Sequence, residues 1–280
     1  MKKKYIILTS LFVANLFFWY SFFSYVFFHT TVSYLPVGQG DSELIQTKAG
    51  NILIDSGPDG SILSALGKTL NFYDKTIDVF ALTNQDIDHY QGLFDVLKRY
   101  RVRVVMVNDN FADNETFRNL LQEIQSLNIP VVLAARGAEI DLNGNKLSVI
   151  YPMKNINQYF KANKNQLSVV TEFLTDKHSF LFGSDIDKKA ENILKNFIDK
   201  TYDVFKVAHH GSKTSNTEQF LNVIQPKYSI IEVGKNTYGH PADETLERLD
   251  IIGSQIFRTD KDGLIRFVED IAKGLKIKMN

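Results

Sequence analysis

The chain has 280 residues, 44% of them hydrophobic, and its 32 Lys and Arg balance its 32 Asp and Glu. That is enough apolar material for one well-cored domain with an appendage, and the absence of cysteine excludes both a disulfide framework and a thiolate metal site. Setting Lys2, Lys3 and Lys4 aside leaves 29 basic against 32 acidic residues. This excludes the broad basic footprint of a strong nonspecific nucleic-acid binder, so a polyanion would be held by a local patch, through a metal, or weakly.

After the three lysines, Tyr5–Phe28 carries no charge. As a helix these 24 residues would span roughly 36 Å, against a hydrocarbon core of about 30 Å. The run is longer than the apolar core of a cleaved signal peptide and ends without a small-residue cleavage site. Residues 1–30 are therefore predicted to be a signal anchor with its lysines in the cytoplasm, and residues 31–280 an extracytoplasmic domain, secreted if the anchor is cleaved.

Thr31–Leu35 reads as a strand, followed by the Gly-punctuated turn from Pro36 to Asp41. Ser42–Thr47 and Asn51–Ile54 form a hairpin around Lys48-Ala49-Gly50, and Ser61–Leu70 reads as a helix. The apolar run Ile77–Leu82 reads as a buried strand that opens into Asn84, Asp86, Asp88 and His89, oxygen and imidazole donors dense enough for a divalent metal. Helical faces repeat at three or four residues, so this spacing predicts a strand-end loop rather than a helix. A helix at Gly92–Tyr100 and a strand at Val102–Val107 follow. Asn114–Leu127 is predicted helical with Phe117, Leu120, Leu121 and Ile124 on its core face.

Further strands are predicted at Val131–Ala134, Glu139–Asp141 and Lys146–Tyr151, an exposed polar loop over Pro152–Lys164, and a hairpin of Gln166–Leu174 with Ser179–Phe182. Beyond Gly183-Ser184-Asp185 come a helix from Lys188 to about Ile198, a strand at Val204–Val207 running into His209-His210, and a helix near Thr217–Ile224. The chain ends with strands at Tyr228–Val233, Gln255–Arg258 and Leu264–Val268, with a helix at Ala242–Leu249 between the first two. Hairpins followed by strand–helix alternation, twice over, predict an α/β fold with two sheets packed together and helices outside, a four-layer αββα sandwich.

Four of the six histidines, His89, His209, His210 and His240, fall in strand-end turns, where sites are usually built. Asp41, Asp55 and Asp185 also end strands. Such a set suits one or two divalent cations, which lower the pKa of water toward about 7 and clamp a phosphoryl group. With no cysteine and no serine in a nucleophile elbow, metal-activated water is the expected nucleophile.

The ordered motifs VGQGDS (Val37–Ser42), NILIDSG (Asn51–Gly57), LTNQDIDH (Leu82–His89), GSDI (Gly183–Ile186), AHHGSKTS (Ala208–Ser215) and YGHP (Tyr238–Pro241) resemble the metallo-β-lactamase-fold domain of the competence DNA-uptake family ComEC, over roughly Thr31 to Phe267. The resemblance implies a metallo-β-lactamase-like domain acting as an extracytoplasmic metal-dependent hydrolase, a nuclease or phosphodiesterase, with Zn or Mn as cofactor and DNA and uptake machinery as partners. It implies Asn84, Asp86, Asp88, His89 and Asp185 around the metal, with one of His209 and His210. Asp41 and Asp55 would organise the loop behind them, Asp88 and His240 would serve catalysis, and Ser212, Lys213 and Thr214 would bind phosphate oxygens.

Two departures from that family stand out. Asn84 takes the place of the opening His of an HxHxDH-type pattern, and only His178, misplaced for an intermediate ligand, lies between His89 and Asp185. Pro36 stands where the family has Asp. One metal, an oxygen-preferring metal such as Mn²⁺ or Mg²⁺, or an empty position are all compatible with this. So are two other readings of the chain, a non-catalytic binding module of an envelope complex and a metallo-hydrolase of a small ester or lactone.

Overall fold

Runs of Val, Ile and Phe long enough to be buried on both faces need a sheet on one side and helices on the other. In the computed structural model, residues 2–27, 30–108, 114–154, 163–270 and 274–279 are described. His29 and residues 155–162, the middle of the expected polar loop, lie outside them. The first half runs α1 (Lys2–Phe27), β1 (Thr31–Tyr34), β2 (Glu43–Thr47), β3 (Gly50–Ile54), α2 (Ser61–Thr69), β4 (Thr76–Ala81), α3 (Ile87–Tyr90), α4 (Leu93–Arg99), β5 (Arg101–Val107), α5 (Glu115–Ser126) and β6 (Val131–Leu133). The second runs β7 (Glu139–Leu142), β8 (Asn145–Tyr151), β9 (Val170–Leu174), β10 (Ser179–Phe182), α6 (Lys188–Leu194), β11 (Val204–Lys206), α7 (Glu218–Ile224) and β12 (Tyr228–Ile231). It ends with α8 (Asp243–Ile251), β13 (Gln255–Arg258), α9 (Thr259–Asp262), β14 (Ile265–Asp270) and β15 (Gly274–Met279).

The strands form one sheet in the order β15-β14-β1-β2-β3-β4-β5-β6 and a second in the order β13-β12-β11-β10-β9-β8-β7. Their facing surfaces share a core in which Val32, Ile45, Ile52 and Met106 of the first sheet meet Val149, Phe173, Phe180 and Ile230 of the second. Tyr34 stands at the seam, its ring 6.1 Å from Phe182 and 6.0 Å from Phe267. On the outer face of the first sheet, α2, α4 and α5 bury Leu66, Val96 and Phe117. On that of the second, α6, α7 and α8 bury Leu194, Phe220 and Leu249. The predicted αββα sandwich is the observed architecture.

Local rules account for the element ends. Asn114 caps α5 by accepting the Thr116 amide at 2.9 Å, and Phe117, Leu120 and Ile124 fall on its buried face. Strands β3, β4 and β5 are parallel, as are β10, β11 and β12. The carboxyl ends of β3, β4, β10 and β11 carry the segments around Asp55, Asn84–His89, Asp185 and His209-His210, and this is where open α/β sheets place their ligands.

The structure differs from the sequence reading at three points. Residues Lys164–Leu167 form a 3₁₀ turn rather than the start of a strand, because Asn163 and Gln166 close a reciprocal capping box. The donor-rich loop after β4 is not loop throughout, since Ile87–Tyr90 makes one helical turn with Asp86 at its N-cap. Strand β15, which no motif marked, pairs antiparallel with β14 along its length.

Candidate metal centre

Backbone conformation sets the side chains first. Asp55, Ser184, His209 and His210 all have left-handed backbone, with φ of 52, 47, 52 and 53°. Four such non-glycine residues at three strand ends mark a place where geometry has been imposed by the surroundings. Gly40 packs against the helical turn at Asp88. A Cβ there would meet the Asp88 carbonyl oxygen and lie 2.8 Å from Pro58 Cδ, so only glycine lets the VGQGDS turn reach the turn that carries Asp88 and His89.

Two histidines are then locked in one tautomer. His89 Nδ1 donates to Asp55 Oδ2 at 2.7 Å. Asp55 is itself held by the Thr83 amide at 2.8 Å and by the Thr83 hydroxyl. His210 Nδ1 donates to the Glu232 carbonyl at 2.9 Å and lies 3.2 Å from Asp41 Oδ1. Both rings therefore turn Nε2 toward the same pair of carboxylates, the arrangement by which metal-binding imidazoles are oriented. His210 Nε2 is 3.2 Å from Asp88 Oδ2, and His89 Nε2 is 3.3 Å from Asp185 Oδ2.

The donor set fits a divalent cation. Asp88, His89 and His210 offer ligand atoms within 4.8 Å of one another, with Asp185 alongside. His89 Nε2 and Asp185 Oδ1 are buried polar atoms with no hydrogen-bond partner among the described residues, a state that calls for an ion. Charge points the same way. Burial alone would discharge His89, yet Asp185, Asp55 and Asp88 hold its imidazole well above its ordinary range. Burial opposes charge on His210 too, but Asp41 and Asp185 push it up to about 10. Asp185, although buried, is held well below the carboxylate range by His89 and His210. Without a cation, protons on the imidazoles answer the carboxylates; a divalent ion answers the same charge by displacing them.

Asn84 and Asp86 point elsewhere. Asn84 Oδ1 accepts the Asp86 amide at 3.0 Å, and its Nδ2 donates to Ser168 Oγ at 3.0 Å and to Asn165 Oδ1 at 3.4 Å. Asp86 is paired with the Lys164 ammonium. The helical turn at Ile87 separates these two residues from Asp88 and His89, so the four donors of this segment do not converge.

His209 Nε2 is 3.8 Å from Asp185, while its Nδ1 meets the Asn165 side-chain amide at 3.4 Å. His240 packs edge to face beside it, with ring centroids 5.4 Å apart. Asp41 is taken by the buried Lys206 ammonium and stands behind the histidines with Asp55. His178 is remote and pairs with Asp203 at 3.3 Å.

The centre opens into a cleft of about 830 Å³ lined by Asp86, Asp88, Asp185, His209, His210 and His240, with Lys235 and Tyr238 at its rim. Ser212, Lys213 and Thr214 do not line it. The Ser212 and Thr214 hydroxyls bond each other at 2.9 Å, closing a local turn of the kind these residues favour, so the phosphate role expected of this segment is not supported. Sequence reasoning passed over Lys164, Asn165, Lys206, Glu232 and Lys235. Lys206 and Lys235 sit within three residues of a quoted motif, Lys164 and Asn165 at the end of the polar loop and Glu232 in a predicted strand, and nothing in the local pattern says where their side chains point.

Residues 35–152 match the metallo-beta-lactamase superfamily. Among curated proteins, the chain is 29% identical over 256 residues to the ComE operon protein 3 of Bacillus subtilis, covering 84% of this chain and 32% of that one. It is 27% identical over 243 residues to Recombination protein 2 of Haemophilus influenzae, covering 84% and 28%. The chain thus spans about a third of the length of these relatives. Among solved structures, the metallo-beta-lactamase fold protein YhfI from Bacillus subtilis matches with a TM-score of 0.55 at 10% identity, over 84% of this chain and 98% of that one. CmlA, a diiron beta-hydroxylase from Streptomyces venezuelae, matches with 0.57 at 13% identity, over 86% and 54%. These two structural likenesses are of fold.

Proposed function

From a chain that carries a metallo-β-lactamase-superfamily domain and is similar to competence proteins, we propose a membrane-anchored, extracytoplasmic hydrolase of phosphodiesters, with DNA as substrate. The observation that carries the reading is the pair of buried imidazole rings, His89 and His210, each held by its own Nδ1 bond and turning Nε2 toward Asp88 and Asp185 on one wall of an open cleft. Asp88, His89, Asp185 and His210 would hold a divalent cation, which when bound supplies acidity to water and positive charge to a phosphoryl oxygen.

The chain's own groups do the rest. Asp55 and the Glu232 carbonyl keep both tautomers. His240 is half-buried, and burial together with neighbouring His209 and His210 pushes its imidazole down to about 4. It is therefore neutral at physiological pH, and its ring lines the cleft, where it can exchange a proton or hydrogen bond with a leaving oxygen. Tyr238, 74% exposed at the rim beside His240, offers a flat ring on which a base can stack, and Lys235 a local positive charge. These compensate for a domain that is not basic overall.

Anchoring is supported by α1. Within it, Lys4–Phe22 is long and apolar enough to cross a membrane, and Lys2, Lys3 and Lys4 stand at its start. The test of the proposal is metal content by elemental analysis and cleavage of single- and double-stranded DNA by the detergent-solubilised chain, with Asp88→Ala alongside. Loss of both metal and cleavage in the variant, with circular dichroism unchanged, is the expected result. A metal-free wild-type protein that still binds DNA would instead favour the non-catalytic binding module.

A further inference from the structure

We infer that the centre is built for one divalent cation, and that the adjoining position is filled from within the chain by the Lys164 ammonium and the His209 ring. These two form a donor pocket for a second phosphate oxygen. This rests on the reading of the site as a metal centre for phosphodiesters.

The two sides of the cleft floor are chemically opposite. On the side of Asp88, His89, His210 and Asp185 there are two carboxylates and two imidazole Nε2 atoms turned toward them. On the other side the acceptors already take hydrogen bonds from within the chain. Asn84 Oδ1 accepts the Asp86 amide at 3.0 Å, and its NH₂ group is bound to Ser168 and Asn165. Asn165 Oδ1 accepts from Asn84, and Asn165 Nδ2 meets His209 Nδ1 at 3.4 Å. An imidazole whose Nδ1 accepts a hydrogen bond carries its proton on Nε2, so His209 shows the cleft an N–H rather than a lone pair. Asp86 is neutralised by Lys164.

A dication placed here would compete with hydrogen bonds at both amide oxygens, find no lone pair on His209, and meet an ammonium where a ligand should be. An anionic oxygen would find two donors, one of them charged.

The arrangement is held. Lys164 and Asn165 lie on the 3₁₀ turn closed by the Asn163–Gln166 capping box, and Gln166 Nε2 ties that turn to Asp187 Oδ2 at 2.8 Å. Lys164 is 56% exposed, so its ammonium can move from Asp86 to a phosphate without unfolding the turn. The neutral run Asn165-Gln166-Leu167-Ser168 has no other residue suited to binding a cation.

The experiment uses the detergent-solubilised full chain, loaded with excess Zn²⁺ or Mn²⁺, desalted, and analysed for metal. Inorganic phosphate is then titrated as the probe by calorimetry. One metal per chain is expected for the wild type and for Lys164→Met, with phosphate affinity about tenfold weaker in Lys164→Met and largely kept in Lys164→Arg. The triple variant Asn84→His, Lys164→Ala, Asn165→His is expected to take up a second metal. Two metals in the wild type would overturn the inference while leaving the metal-centre reading intact, and none would overturn both. Unchanged phosphate affinity in Lys164→Met would remove Lys164 from the pocket. Equal circular dichroism and thermal midpoint across the single variants separates these outcomes from misfolding.

Discussion

Asp55 shows how one residue can decide the chemistry of another. Its left-handed backbone turns the carboxylate back under β4, where it meets the Thr83 amide, the Thr83 hydroxyl and His89 Nδ1. Asp55→Asn keeps the volume but presents an NH₂ group to one of these donors. The tautomer that leaves His89 Nε2 bare is then no longer enforced. Metal affinity should fall roughly 10- to 100-fold, measurable by competition with a chromophoric chelator.

A second residue-scale effect concerns Glu43, buried beside Glu232 and Asp41. Burial, reinforced by the Asp41 charge, pushes its carboxyl up to about 8 from an ordinary 4.5. The folded state therefore keeps a proton that the unfolded chain releases between those values. Stability from this group is fully present below about pH 4.5 and is lost as pH rises through about 8. Glu43→Gln should flatten that decline in a series of denaturant titrations on metal-free protein; an unchanged slope would show that Glu43 is ionised in the fold.

At the scale of elements, the His209-His210 segment is held from α6. Glu191 on that helix accepts the Thr217 amide at 2.9 Å, the Thr217 hydroxyl at 2.7 Å and the Asn216 amide. Asn216 in turn clasps Ala208 through two bonds of 2.9 Å, one to its amide and one to its carbonyl. Helix α6, the cap of α7 and the histidine loop thus share one buried carboxylate. Glu191→Ala would strand these donors at about 1–3 kcal/mol each where water cannot reach them. The expected loss is at least about 2 kcal/mol in chemical denaturation, together with weaker metal binding although Glu191 touches no ligand. A variant as stable as the wild type would show the loop to be held by its own backbone.

For the whole molecule, the site sits where two sheets and their crossover loops meet, and it concentrates buried charge there. Asp41, Lys206, Glu43 and Glu232 lie beneath the ligands, all of them buried. A cation that satisfies the carboxylates above them binds the folded chain only. At a thousandfold excess over its dissociation constant it contributes about 4 kcal/mol. Stripping it with a chelator should lower the thermal midpoint by roughly 10 °C, read by calorimetry with and without re-added metal. No shift on chelation would mean that the folded chain arrives without an ion.

The sequence by itself determined the class of fold and the address of the site. Alternating hairpins and strand–helix units can bury their apolar faces only as stacked sheets with helices outside. The motifs fall at strand ends because turn residues and donors cannot sit inside a ladder. Tertiary structure alone decided which donors converge. Asn84 and Asp86 stand four and two residues from Asp88, within one short stretch that reads as a ligand cluster. One helical turn at Ile87 sends them to the opposite wall, where Asn165 and Lys164, some eighty residues away in the chain, complete their partners. Ser212–Thr214 closed on itself for the same reason. Whether a hydroxyl or an amide faces a cleft depends on which hydrogen bonds its neighbours have already taken, and those neighbours come from other strands.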